Sequence, residues 1–170
     1  MLTLPAKTRR KKQSFLAIRA QMTRRNLVRQ ATLFYSELRD FLFAQNIEDA
    51  GPGFMRYLSI SRDGDLDMEI GYLTAKPYHG AGPIRSGVLP AGSFLSAEWT
   101  GPFERLPEIN AMLPAWASHT GIDLDVRETD SGIAYACRME VYHVTPKHTE
   151  DPSKFRTEIL VLTRGLADVA

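Results

Sequence analysis

The stretch RMEVY, residues 138–142, and its echo RTEIL, residues 156–160, decide how the rest of the chain is interpreted. Both are typical of extended strands, in which successive side chains point to opposite faces of a sheet. If the two strands are neighbours, Glu140, Tyr142 and Glu158 share one face. The other face would carry the apolar residues Met139, Val141, Ile159 and Val161. We therefore predict an acidic, partly aromatic surface on one side of a sheet, with helices covering the other.

Composition places the chain among ordinary globular proteins. Its 170 residues are 44% hydrophobic and 24% charged, which suits one domain or two small fused modules. No apolar run approaches the roughly 20 residues that span a bilayer, and no apolar signal segment follows the N-terminal charges. We therefore expect a cytoplasmic protein without membrane association. Cys137 is the only cysteine, which excludes an internal disulfide and favours a small buried hydrophobe.

Charge is distributed unevenly along the chain. Residues 1–30 contain nine of the 21 Lys and Arg residues and no Asp or Glu. We expect residues 1–13 to form a basic, disordered tail that is dispensable for folding, and residues 14–170 to form the domain. The run Arg9-Arg-Lys-Lys12 could contact phosphates. No helix-turn-helix precedes the domain, so we expect no specific nucleic-acid binding by this chain alone.

The order strand, helix, strand, strand occurs twice. The first copy comprises residues 14–20, 27–45, 54–60 and 67–73; the second comprises residues 93–99, 106–120, 138–142 and 156–160. A short strand is also expected at residues 84–88. Pro114 predicts a kink or restart in the second helix. This repeat predicts an α+β fold of tandem βαββ modules, at about 14–78 and 84–164, with pseudo-twofold symmetry. Antiparallel sheets would carry two main helices on one face, and a ligand cleft would lie between the modules.

The order and spacing of several short motifs resemble the GyrI-like effector-binding family over about residues 14–164. The motifs are Phe54-Met-Arg-Tyr57, Glu69-Ile-Gly71, Leu89-Pro-Ala-Gly92, Thr100-Gly-Pro-Phe103, Trp116, Met139-Glu-Val-Tyr142 and Thr157-Glu-Ile159. That family includes the drug-binding domains of multidrug-responsive transcription activators and stand-alone relatives, some of which protect DNA gyrase. The resemblance implies the tandem βαββ fold and a central ligand cleft.

The resemblance also implies site residues. Glu140 falls where the family keeps a buried glutamate that meets cationic or aromatic ligands. Tyr142 and Glu158 fall on positions that line the same cleft, and Trp116 falls on a helix aromatic beside it. From the first module, we add Leu58, Arg56 and Glu69 as cleft residues. Arg56 and Glu69 either form a polar pair in the cleft or simply neutralise each other.

Two positions depart from the family pattern. Phe103 stands where a tyrosine is usual, and Trp99 stands where relatives often have histidine. A hydroxyl and an imidazole are therefore missing, and the resemblance does not carry the ligand preference over to this chain.

Three classes of function stay open. The first is a stand-alone protein that senses or sequesters a small aromatic molecule, including a cationic one. The second is a hydrolase of reactive electrophilic natural products, as in some relatives, which would use Glu140 and Tyr142 for its chemistry. The third is a protein-interaction module with a partner such as gyrase. His79, His119, His143 and His148 are scattered, without an HExxH pattern. We expect no metal or cofactor and assign no catalytic residue; the oligomeric state is left open.

Overall fold

The computed structural model describes residues 1–165, which form an α+β fold with two α-helices and antiparallel strand pairs. The helices are α1 (Leu27–Ala44) and α2 (Leu106–Thr120). The strands are β1 (Ala6–Arg10), β2 (Gln13–Met22), β3 (Ala50–Ser61), β4 (Leu66–Thr74), β5 (Ile84–Leu89), β6 (Gly92–Thr100), β7 (Val126–Thr129), β8 (Gly132–Val144) and β9 (Arg156–Leu162). All predicted elements are present; β1 and β7 are additions. The predicted domain's last five residues lie outside the described chain.

The chain divides into two compact units. The α1 unit comprises Lys12–Pro90 and Val126–Cys137; the α2 unit comprises Met1–Lys11, Ala91–Asp125 and the described residues from Arg138 onward. Strand β8 therefore begins in the α1 unit and ends in the α2 unit.

The α1 unit has the strand order β8-β3-β4-β2-β5, and β7 also pairs with β8. Helix α1 packs against β2 and β4, because apolar residues recur along one of its faces. Its buried residues Ala31, Leu38 and Leu42 lie over a sheet face that includes Met68 and Ile70.

The α2 unit has the strand order β1-β6-β9-β8. Helix α2 contacts β6 and runs without a break through Pro114, so the expected restart does not occur. Pro114 is exposed, and its missing N–H removes only the helical bond to the Asn110 carbonyl. Gly121, with φ of 69°, ends the helix in the left-handed conformation.

The prediction of a disordered tail at residues 1–13 is wrong over β1. Residues 6–10 pair with β6 in register, from Ala6 opposite Ser96 to Arg10 opposite Gly92. The hydroxyls of Thr8 and Ser96 also meet at 3.1 Å. Backbone pairing alone can hold a strand at a sheet edge, and charged side chains are usual there. Such a strand needs no apolar periodicity, and for this reason the sequence pattern did not reveal it.

The register between β8 and β9 corrects a second prediction. The two strands are neighbours as expected, but Glu140 lies opposite Ile159, and Glu158 lies opposite Val141. Residues directly opposite each other share a face, so Glu140 and Glu158 point to opposite sides of the sheet. A shift of one residue in register exchanges the faces of a whole strand, and the alternation within one strand does not determine it.

Candidate ligand-binding site

Glu140 lies beneath α2, and only 4% of it is exposed. Asn110 of α2 donates a hydrogen bond from Nδ2 to Glu140 Oε1 (2.6 Å). The Tyr142 hydroxyl donates a second one to Glu140 Oε2 (2.5 Å). The expectation that helices cover only the opposite, apolar face is therefore wrong. The result is a buried carboxylate whose two oxygens are held in place by an amide and a phenol.

Asn110 is the residue that sequence reasoning missed. It is 5% exposed and lies among the buried residues Leu106, Ile109, Leu113 and Ala117 of α2. Its Nδ2 also donates to the Leu106 carbonyl (3.1 Å), and Arg138 Nη2 donates to its Oδ1 (3.4 Å). Buried polar groups are almost always hydrogen-bonded. An asparagine inside an apolar helix stripe was therefore a usable signal for a polar partner on the sheet.

Aromatic rings lie next to Tyr142. The Phe103 ring meets the Tyr142 ring edge to face, with centroids 5.5 Å apart. Phe103 also stacks on Phe155, with centroids 4.7 Å apart and an interplanar angle of 26°. Phe103, noted above only as a departure from the family pattern, thus joins the Glu140 network through Tyr142.

Local backbone geometry presents Phe103 at this position. Trp99 Nε1 donates a hydrogen bond to the Pro102 carbonyl (3.0 Å). Gly101 has φ of 150°, and a Cβ atom there would lie 2.5 Å from the Trp99 ring. Only glycine fits this close approach without displacing the ring. The chain can therefore turn directly from β6 into the short 3₁₀ helix that begins with Phe103.

Trp116 and Glu158 lie elsewhere in the α2 unit. Trp116 is half-buried on α2. It follows Asn110 by six residues, which puts it about 120° away from Asn110 around the helix axis. Glu158, on the other sheet face, forms an ion pair with Arg10, and its Oε2 lies 3.4 Å from His143 Nε2. Burial disfavours the Glu158 carboxylate, but the His143 hydrogen bond and the Arg10 charge outweigh it and lower its pKa.

The candidate residues of the first module lie in the α1 unit. Arg56 Nη1 contacts Glu69 Oε2 at 3.0 Å across β3 and β4, and Arg56 Nη2 donates to the Ala136 carbonyl (3.0 Å). The pair was expected either to line the cleft or to neutralise each other, and the observed contact is an ion pair between the two side chains. Leu58 is half-buried where the β3–β4 register shifts, between Tyr57 and Ser59.

Cys137 is fully buried. Burial raises the pKa of its thiol to about 11, so little thiolate forms at neutral pH. Its packing role as a small hydrophobe agrees with the sequence expectation.

Neither α-helix within residues 1–165 combines the length and hydropathy that a membrane crossing requires. In the same residues, no group of three or more His, Cys, Asp and Glu side chains is placed to hold a metal ion.

Comparisons with known proteins relate the chain by its fold. No protein-family model and no curated protein matches the sequence. The C-terminal domain of EcmrR is 13% identical, with a TM-score of 0.65 and coverage of 96% of this chain and 98% of that domain. In the cryo-EM structure of the EcmrR–DNA complex, the match is 14% identical with a TM-score of 0.73, and this chain spans 58% of the EcmrR chain.

Two further structures share the fold. SAV2435 bound to tetraphenylphosphonium is 11% identical, with a TM-score of 0.62 and coverage of 96% of both chains. A hydrolase from Listeria innocua is 13% identical, with a TM-score of 0.56 and coverage of 94% of this chain and 91% of that one. The class that these likenesses define is a structural one, the α+β fold of the EcmrR C-terminal domain.

Proposed function

We propose that this protein binds small aromatic cations at Glu140 in the α2 unit, for effector sensing or sequestration. The observation that carries the proposal is the buried Glu140 carboxylate, oriented by Asn110 and Tyr142. The GyrI-like resemblance supports it, since that family keeps a ligand-meeting glutamate at this position. The SAV2435 structure, which has the same fold, contains a small aromatic cation.

The chemistry of the site suits such a ligand. Attraction between a cation and a carboxylate is stronger in a protein interior than in water, because the effective dielectric constant is lower. Rings of Phe103 and Tyr142 next to the carboxylate offer stacking and cation–π contacts. These two side chains are only partly buried, so we place the open side of the site there.

Glu140→Gln tests the proposal by isothermal titration with two probes, tetraphenylphosphonium and the neutral triphenylphosphine oxide. Glutamine keeps the size of the side chain but removes its charge. We expect binding of the cation to weaken by about 1–3 kcal/mol, the range for losing a charged hydrogen-bonding partner. Binding of the neutral probe should change far less.

Glu128→Gln is the matched control, since Glu128 is an exposed residue of β7. It should leave both affinities unchanged. Equal losses for the two probes in Glu140→Gln, or no binding of tetraphenylphosphonium to the wild type, would contradict the proposal.

A hydrolase is the second candidate. The hydrogen bond of 2.5 Å between Tyr142 and Glu140 joins a carboxylate and a phenol, which are groups that serve in general acid–base catalysis. The Listeria innocua hydrolase also has this fold. Styrene oxide is a simple electrophilic probe, and addition of water to it gives a diol that chromatography detects. Diol formation by the wild type but not by Glu140→Gln would favour the hydrolase. Equal rates for both proteins, at the level of the uncatalysed background, would favour binding without hydrolysis.

A further inference from the structure

Thr157 is fully buried on the same sheet face as Glu140. Its Oγ1 has no hydrogen-bond partner among the described residues. Tyr142 lies directly opposite it on β8, and Trp99 lies opposite it on β6. The hydroxyl therefore belongs to the face that carries the Glu140 network.

The other buried threonines behave differently. Thr74 Oγ1 donates to the Lys76 carbonyl, and Thr163 Oγ1 donates to the Ser93 carbonyl, both at 2.8 Å. Their hydroxyls are satisfied by backbone carbonyls. A buried polar group without a partner destabilises a fold, and native structures contain few of them. The unpaired hydroxyl at Thr157 is thus an exception that structural stability does not explain.

Its spacing from Glu140 suits a ligand that contacts both side chains. Ile159 lies opposite Glu140, and Thr157 precedes Ile159 by two residues. Such diagonal neighbours in an antiparallel pair lie about 7–8 Å apart between Cα atoms. A fused aromatic ring system with a positive charge and an amino group on its edge is long enough to span this distance.

We infer that Thr157 determines ligand specificity at the Glu140 site, by hydrogen bonding to an N–H or O–H group of the ligand. The site then prefers aromatic cations with hydrogen-bonding groups to quaternary aromatic cations of similar shape. A quaternary cation leaves the Thr157 hydroxyl unpaired in the complex, as it is in the unbound protein. This inference rests on the proposed function, because it names the ligand class of the same site.

Proflavine and 10-methylacridinium are suitable probes. Both are flat, fluorescent acridine cations, but only proflavine carries amino groups. We expect Thr157→Val to reduce the preference for proflavine over 10-methylacridinium by about five- to tenfold, as the loss of one hydrogen bond implies. The melting temperature should not fall, since valine leaves no unpaired hydroxyl. Thr157→Ser, which restores the hydroxyl, should recover the wild-type preference.

Thr163→Val is the matched control. Its hydroxyl is hydrogen-bonded, so this variant should lower the melting temperature and leave the preference between the two probes unchanged. A merely structural role for Thr157 predicts the same pattern as Thr163. A lowered melting temperature with an unchanged preference in Thr157→Val would therefore overturn the inference.

Glu140→Gln separates the two proposals. If it weakens both probes while Thr157→Val leaves their ratio unchanged, the inference about Thr157 fails and the proposed function stands. If neither probe binds the wild type, or neither depends on Glu140, the proposed function fails and the inference about Thr157 fails with it.

Discussion

Glu140 and Glu158 lie on neighbouring strands of the α2 unit, but on opposite faces of the sheet. Glu140 is buried beneath α2 and accepts hydrogen bonds from Asn110 and Tyr142. Glu158 is less deeply buried; it forms an ion pair with Arg10, and its Oε2 lies near His143 Nε2. The two carboxylates thus differ more in burial than in their number of described partners. Loss of a hydrogen-bonding partner at a buried charge is expensive, whereas a partly exposed ion pair contributes little.

The largest effect is expected for Asn110→Leu. This change removes the donor to Glu140 Oε1 and leaves a buried carboxylate with one hydrogen bond fewer. We expect the free energy of unfolding to fall by about 2–3 kcal/mol, measured by urea denaturation. Met112→Leu, at an exposed position of α2, should change it by less than about 0.5 kcal/mol. Similar small losses in both variants would remove the distinction between the two faces.

A smaller effect is expected for Glu158→Gln. Its ion pair with Arg10, whose side chain is more than a third exposed, predicts a loss of about 0.5–1 kcal/mol at pH 7. Because folding lowers the pKa of Glu158, its ionised form contributes stability that is fully present above the unfolded pKa of about 4.3. That contribution is lost as the pH falls through the lower, folded-state pKa.

Urea denaturation of the wild type and Glu158→Gln between pH 2 and 7 measures this dependence. The difference between the two proteins should shrink with acidification. A difference that stays constant across this range would contradict the role given to the carboxylate. Affinity for tetraphenylphosphonium should be the same in both proteins, since Glu158 lies on the face opposite Glu140.

The smallest effect is expected for Arg10→Ala. More than a third of the Arg10 side chain is exposed, and His143 remains beside Glu158. We expect a loss below about 0.5 kcal/mol at low salt, which disappears in about 1 M NaCl because salt screens exposed charges. Arg9→Ala, also in β1, is the control and should have no effect. A loss above about 1 kcal/mol that resists salt would show that Arg10 supports β1 by more than its charge.

Local features of the sequence were enough to predict several elements. Helix α1 follows from apolar residues at helical spacing, and the β3–β4 hairpin follows from alternation around Asp63-Gly64-Asp65. Gly121 marked the end of α2, because glycine adopts the left-handed conformation readily. Each of these signals acts between residues close in the chain, so no tertiary information was needed.

The candidate site required long-range information. The sequence alone determined that Glu140 and Tyr142 share a face and that β8 and β9 are strands. Only the tertiary structure decided that Glu158 lies on the other face, that Asn110 reaches Glu140 and that residues 6–10 form an edge strand. Alternation is a property of one strand, because successive side chains must point to opposite sides. Register and helix placement depend on the packing of the whole unit, because a shift of one residue exchanges the faces while leaving the local pattern intact.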